Sequence, residues 1–399
     1  MTNTSEQPQT LLDMPPAGAG ERILITGATG FLGQQIIGVL LEKFPKARLV
    51  VLLREKKGLS VQERLHAIID QVSAPEKRDE ALTRIDVFTS DDISKERCGL
   101  SAEDYPAVAA GLTRIIHSAA TVRFDHPLDF ARRINVVGTR NVLDLAEDVA
   151  RNGGLRSFTY IGTAFVAGER KGLVREDELD VGQSFRNTYE QTKCEAEKLV
   201  RSRMDTIPTV IARPSIIVGD SRTGATTSFK TLYWPLKIYA KYHWRTVPGY
   251  PDAVIDLVPV DYVAEAAVAL SFDQRALGGC FHLCAGPKRD STLGEIAQFA
   301  STFFTVPPPR YISPHLFFAL VRPFLYATVW GKNRRYLREL RAYRPYFLVR
   351  TVFDHRGAAE HLEPVGIHPP AVSDYLEKLF SYCLDSDWGS KPLRTHHEP

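Results

Sequence analysis

"ITGATGFLG", residues 25–33, places Gly27, Gly30 and Gly33 at every third position, straight after the short apolar run that ends at Thr26. Glycine destabilises a helix by about 1 kcal/mol relative to alanine, so three in seven residues mark work that only a bare backbone can do. The context is strand, tight turn and helix, which a dinucleotide-binding turn requires. Gly27 permits the turn, Gly30 lets backbone amides approach a pyrophosphate, and Gly33 lets the helix pack on the strand. The helix N-terminus adds partial positive charge where phosphates would sit. The spacing is GxxGxxG rather than GxGxxG, so the competing reading is an ordinary strand–helix turn.

Outward from this turn the chain alternates apolar runs with amphipathic stretches. The runs are "RILIT", "ARLVVLL", "RIDVFT", "TRIIHSAA", "RSFTYIGT" and "PTVIARPSIIVG". Continuous apolar strands alternating with helices predict an α/β fold with a doubly wound parallel sheet covered on both faces. After Gly219 the rhythm breaks. Residues 220–258 read as a substrate-side excursion, and "AVIDLVPVDYVAEAAVALSF" reads as a strand followed by a helix capped by Asp261. "GGCFHLCAG" reads as a last strand. The expected organisation is a leader over 1–20, a cofactor domain over 21–285, a smaller, mostly helical substrate region over 286–388, and a tail over 389–399. Both ends are expected to be disordered.

The bulk numbers exclude several classes. With 399 residues, 44% hydrophobic and 24% charged, the composition is globular. A net charge of +3 is too small to argue for nucleic acid. The 11 histidines and 5 cysteines show no metal-ligand spacing, so no metal is expected. The cysteines lack framework spacing and read as reduced thiols in a cytoplasmic setting. Cys280 and Cys284 fall on one strand, too far apart to bridge. Nothing at the start resembles a signal peptide.

The second strand bears on cofactor choice. A site for NADH usually ends that strand in a carboxylate that holds the ribose 2′-hydroxyl. Here it ends in Arg54, and Arg64 follows one loop later. Arginine grips a 2′-phosphate that a carboxylate would repel, so NADPH is expected. The competing reading is two solvated surface arginines.

Tyr189 and Lys193 in "TYEQTK" stand four apart on a helix and share a face. A lysine charge about 4 Å from the phenol, at an effective dielectric near 20, would lower the tyrosine pKa by up to about three units. Tyr189 is the expected general acid, and Lys193 is also placed to hold the nicotinamide ribose. Thr163, at the carboxyl end of the fifth strand, is positioned to hydrogen-bond a substrate carbonyl oxygen. Asn135 either organises a water beside Lys193 or lies on a helix surface.

Together "TGATGFLG", "HSAATVRF", "NVVGT", "YEQTK" and "ARPSIIVGDSRTG" resemble the extended short-chain dehydrogenase/reductases with their Rossmann-type sheet. "LLREKKGLSVQERLHAII" and "VPGYPDAVIDLVPVDYV" are similar to the fatty acyl-CoA reductase and thioester reductase branch. The resemblance covers residues 21–285. It implies a cofactor cleft formed by Gly27, Thr29, Gly30, Phe31, Leu32, Gly33, Arg54, Arg64, Asp92, Ile93, Ala119, Asn135, Tyr189, Lys193, Pro214, Ile216 and Ile217. Asp91 in "TSDDIS" departs from the glycine usual there, beside the expected contact of Asp92. The implied activity is NADPH-dependent reduction of acyl thioesters, with long chains expected, on CoA or acyl carrier protein, to aldehyde or onward to alcohol, the branch containing both outcomes. Two alternatives stand: a sterol or other hydrophobic alcohol/ketone oxidoreductase, and a non-catalytic NADP(H)-sensing module. "SPHLFFALVRPFLYATVWGKNRR", 313–335, reads either as an interfacial membrane-contact helix or as a core helix walling an acyl tunnel.

Overall fold

The computed structural model describes residues 20–321, Pro323 and 351–391, apart from Lys57, Lys230, His243 and Lys288. Seven parallel strands form the central sheet: β1 Arg22–Thr26, β2 Arg48–Leu53, β3 Ile85–Thr89, β4 Arg114–His117, β5 Ser157–Ile161, β6 Thr209–Pro214 and β7 Cys280–Leu283. Their order across the sheet is β3-β2-β1-β4-β5-β6-β7, with the chain reversing direction of travel at β1 and β4. Every expected strand is present. The carboxyl ends of β1 and β4 flank the crevice where such sheets bind ligands.

Side chains alternate across the sheet, and each face finds its own helical cover. Ile23, Ile25, Leu49 and Val51 pack with helices α1 (Phe31–Lys43), α2 (Val61–Val72) and the alanine-rich α6 (Val260–Phe272). Leu24, Val50, Ile115, Phe158 and Tyr160 pack with α3 (Gly138–Arg151) and α4 (Thr188–Arg201). The apolar run "ILI" is therefore buried on both sides. Asp261 does not cap α6. Pro259 occupies the N-cap, and Asp261 lies in the first turn, where its carboxylate accepts from Ser221 N at 2.9 Å and from the Ser221 hydroxyl at 2.5 Å.

The excursion beyond Gly219 packs on the C-terminal region. Tyr233, Leu236 and Tyr239 of α5 (Tyr233–Tyr242) share one apolar cluster with Ile296 and Ala300 of α7 (Leu293–Phe304). Tyr375, Leu379 and Phe380 of a later helix, Val372–Asp385, complete it. The region is stitched to the sheet domain by short pairings, Thr351–Phe353 on Gly172–Val174 among them. Beneath that pairing, Arg213 of β6 makes a fully buried two-point ion pair with Glu197 of α4 (2.9 and 2.6 Å). Arg213 also meets His282 Nε2 at 3.2 Å, while His282 Nδ1 meets the Asp354 carbonyl at 2.7 Å.

Of the segment 313–335, Ser313–Val321 and Pro323 are described, and the rest lies outside the described residues. Phe317 is fully buried and belongs to the core, which corrects the lipid-facing reading for that residue. Leu316 and Leu320 are exposed. No described helix is long and apolar enough to cross a membrane. The described cysteines are all free, and Cys284 falls just past the end of β7. The leader's residues 1–19 and the tail's 392–399 also lie outside the described residues.

Candidate active site

The glycine turn closes as the sequence requires. Gly27 has φ +76°, and a Cβ there would lie 2.7 Å from the Ala119 nitrogen. A Cβ on Gly33 would lie 2.3 Å from the Gly27 carbonyl oxygen, so α1 approaches β1 only because that side chain is missing. Gly30 is the N-cap of α1, and Thr29 and Gly30 are exposed at the helix's positive end. Leu32 turns into the core, and Phe31 is partly covered against it. The Gly30 amide closes the turn on the Gly27 carbonyl at 2.8 Å, and the exposed turn beside the Ala119 backbone fits a pyrophosphate.

Arg54 stands exposed at the end of β2. The Arg64 guanidinium, carried on α2, donates to the Arg54 backbone carbonyl. Ser60 and Glu63 form a capping box that fixes the start of α2 and hence the approach of Arg64. Burial, and then the Arg54 charge, lower the Arg64 pKa. Among the described residues neither arginine has an ion-pair partner within 4 Å, so two cations stand together at the end of β2. Burial pushes the Asp92 carboxyl up, but hydrogen bonds from Ser94 (2.9 and 2.7 Å) and the charges of Arg133 and Arg54 bring it below its ordinary value. Ile93 beside it lies under Gly138 of α3, and its carbonyl accepts from Asn141 at 2.9 Å.

At the carboxyl end of β5, Thr163 is buried and N-caps a short 3-10 turn, accepting from Phe165 N at 3.3 Å. Its hydroxyl donates to the Pro214 carbonyl at 3.4 Å. Asn187 caps α4 and thereby presents Tyr189 one residue into the helix. Burial pushes the Tyr189 phenol up, Thr163 partly offsets this, and the pKa settles at about 12.

Lys193 departs from expectation. It is buried, its Nζ donates to the Ile161 carbonyl at 2.7 Å, and the same nitrogen sits 4.2 Å from the centre of the Tyr160 ring. Burial lowers its pKa to about 7, against the opposing pull of Glu197. The spacing puts both side chains on one helix face, but the four-carbon lysine stem reaches the strand instead. The ammonium does not lower the Tyr189 pKa in this arrangement.

Asn135 is buried within a π-helical turn, Arg133–Val137, and not on a helix surface. It accepts from Thr121 N (2.8 Å) and donates to the Thr121 carbonyl (3.2 Å) and Thr192 Oγ1 (2.9 Å). It therefore ties the loop after β4 to the helix carrying Tyr189. His117, the first residue of "HSAATVRF" but not among the expected site residues, joins this network. His117 Nδ1 meets Thr26 Oγ1 at 2.7 Å, and Nε2 meets Thr139 Oγ1 at 3.0 Å. Thr139 donates onward to the Asn135 carbonyl (2.6 Å), so it accepts from His117 Nε2–H, which fixes the imidazole tautomer. Burial and the Lys193 charge push the His117 pKa down to about 3, so the ring is neutral.

From Thr163 the chain runs through Phe165 into an apolar cleft. Leu232, Leu236, Ile296, Ala297 and Phe353 line it, and so does Ile216. Of the expected pair, Ile217 turns the other way and packs under α6. The cleft was not legible in the sequence because its walls come from segments as distant as Phe165 and Phe353.

A parallel sheet ordered in this way, a glycine turn at the sheet's switch point and a Tyr–xxx–Lys helix beside a strand-end threonine define an extended short-chain dehydrogenase/reductase. The chain falls in the fatty acyl-CoA reductase and thioester reductase branch of that superfamily. Residues 25–267 match the model of the male sterility protein family, and the chain belongs to that family. Among its relatives, fatty acyl-CoA reductase wat of Drosophila melanogaster is 29% identical over 63% of this chain and 54% of its own. Human fatty acyl-CoA reductase 1 is 28% identical over 66% of this chain and 56% of its own. The chain thus spans little more than half the length of these two relatives. The terminal R domain of the myxalamid biosynthetic pathway superposes with a TM-score of 0.80 at 27% identity, covering 94% of each chain. The reductase domain of a Mycobacterium tuberculosis non-ribosomal peptide synthetase shares the fold, with a TM-score of 0.70 at 22% identity over 96% of this chain and 95% of that one.

Proposed function

We propose that this protein is an NADPH-dependent reductase of long-chain acyl thioesters, carried on CoA or on an acyl carrier protein. The observation that carries the reading is the junction at Phe165, where an apolar cleft meets the Thr163–Tyr189 pair. The kinship with fatty acyl-CoA reductases supports it, as does the paired Arg54 and Arg64 at the end of β2. Those two guanidinium groups would grip the adenosine 2′-phosphate, with the open turn at Thr29 and Gly30 on the pyrophosphate.

NADPH, when bound, supplies the hydride. Tyr189, held protonated across the neutral range, donates its proton to the oxygen of the thioester carbonyl as charge develops there. The Thr163 hydroxyl acts as a second donor to that oxygen. Lys193 contributes positive field and a grip on the ribose, and Asn135 holds the loop and helix that frame the site. The resulting hemithioacetal collapses, the carbon–sulfur bond breaks, and a thiol leaves with an aldehyde. A second hydride would give the alcohol.

The test is purified protein with NADPH and a panel of acyl thioesters, with products identified by mass. Aldehyde or alcohol from acyl chains supports the reading. Turnover of sterols or ketones with none of thioesters sinks it, and cofactor binding without any turnover would favour a sensing module.

A further inference from the structure

The Lys193 ammonium occupies a specific seat on β5. Its Nζ lies over the face of the Tyr160 ring, 4.2 Å from the centre, and donates to the next residue's carbonyl, Ile161, at 2.7 Å. Tyr160 is wholly buried, yet its hydroxyl has no hydrogen-bond partner among the described residues. A buried hydroxyl left unmatched costs stability, so a phenylalanine would serve packing better. What the position retains is the aromatic face, and that face holds a cation.

We propose that Tyr160 is a positioning residue for Lys193, holding its ammonium charged at the Ile161 carbonyl until cofactor and substrate draw it toward Tyr189. This rests on the catalytic role given to Lys193 above. Burial lowers the Lys193 pKa to about 7 and so weakens its hold on the proton. The ring face and the carbonyl oppose that loss, and so does Glu197 one turn along α4. The other titratable groups facing this cluster are His117 on β4, Tyr189 and Cys194 on α4, and Arg213 on β6. His117 is neutral, and the Arg213 charge is matched by Glu197, so the aromatic face is the adjustable element of the seat.

The test replaces Tyr160 by phenylalanine and by phenylalanines carrying one, two and three ring fluorines. These keep the volume while progressively weakening the negative face. The Lys193 pKa is read by ¹³C NMR of lysine Cε, its signal assigned by its loss in Lys193→Arg. This readout needs no turnover, so it stands even where the thioester chemistry fails. Tyr160→Phe should leave the pKa within a few tenths of a unit and the fold as stable or more so. Trifluorination should lower it by about one unit, the equivalent of roughly 1.4 kcal/mol of lost cation–π attraction, with the intermediates in order. In turnover, the basic limb of the kcat profile should move down with the pKa. A Lys193 pKa independent of fluorination, or one shifted equally by Tyr160→Phe, would overturn the proposal.

Discussion

The Lys193 ammonium donates to the Ile161 carbonyl at 2.7 Å, although Lys193 stands only one helical turn from Tyr189. Burial pushes the Tyr189 phenol up to about 12, with Thr163 partly offsetting it and Lys193 playing no part. A tyrosine that keeps its proton suits the direction of reduction, where the developing oxyanion needs a donor. The roles of the two residues therefore separate.

Tyr189→Phe should lower kcat by a factor on the order of several hundred and leave NADPH affinity within about twofold. Lys193→Ala should lower kcat and weaken NADPH together. Stopped-flow turnover and fluorescence titration measure the two quantities, and a Tyr189→Phe variant of nearly normal rate would move the chemistry elsewhere.

Arg54→Asp places a carboxylate where a 2′-phosphate is expected to sit. NADPH affinity should fall by a factor on the order of 100 or more, with NADH changed by less than about fivefold. Arg64→Ala should act in the same direction, more weakly. Calorimetry with both cofactors decides, and equal use of NADH by the unaltered enzyme would refute the assignment.

Burial gives Lys193 a folded-state pKa of about 7, below the ordinary lysine value. Between those values the unfolded chain binds more protons than the folded one, so this residue's penalty shrinks as pH rises from about 7 toward about 10. Lys193→Met removes the penalty at every pH. Its gain in Tm over the unaltered protein should be largest near pH 6 and fade by pH 9 to 10. Thermal unfolding of both proteins across that range tests the sign, because all other titrations are shared.

Ala297 on α7 faces the apolar cleft. Ala297→Phe should reduce kcat/KM for 16- and 18-carbon acyl thioesters at least tenfold and leave 8-carbon substrates within about threefold. Loss of activity independent of chain length would place the acyl chain outside this cleft.

The seven strands were readable because each is an apolar run bounded by turn chemistry, and the glycine turn because a close backbone contact excludes any side chain at Gly27 and Gly33. The places of Tyr189 and Thr163 in the fold, on the helix and at the strand end, and of the arginines after the second strand, were legible from the same pattern. What local pattern does not carry is the choice among reachable partners. Lys193 has a stem long enough to reach strand or phenol, and tertiary packing decided. Asn135 reads as an ordinary helix residue until the π-helical turn rotates it inward. Phe317 sits in an aromatic run that looks lipid-facing, and its residue type alone does not tell that its ring is a buried one. The cleft is the extreme case, since Phe165, Leu236 and Ala297 meet only in three dimensions.

The central claim is reduction of a thioester, and its most direct test is a count of thiol. Incubation with NADPH and a long-chain acyl-CoA, or the same chain on a carrier protein, should release one free thiol for each acyl group reduced, because collapse of the hemithioacetal expels it. A colorimetric thiol reagent and NADPH absorbance, followed together, give the ratio. One NADPH per thiol means an aldehyde that leaves. Two means an aldehyde retained in the apolar cleft and released as alcohol, the ratio this site favours. NADPH consumed on sterols or ketones, with no thiol from any acyl thioester, would contradict the account.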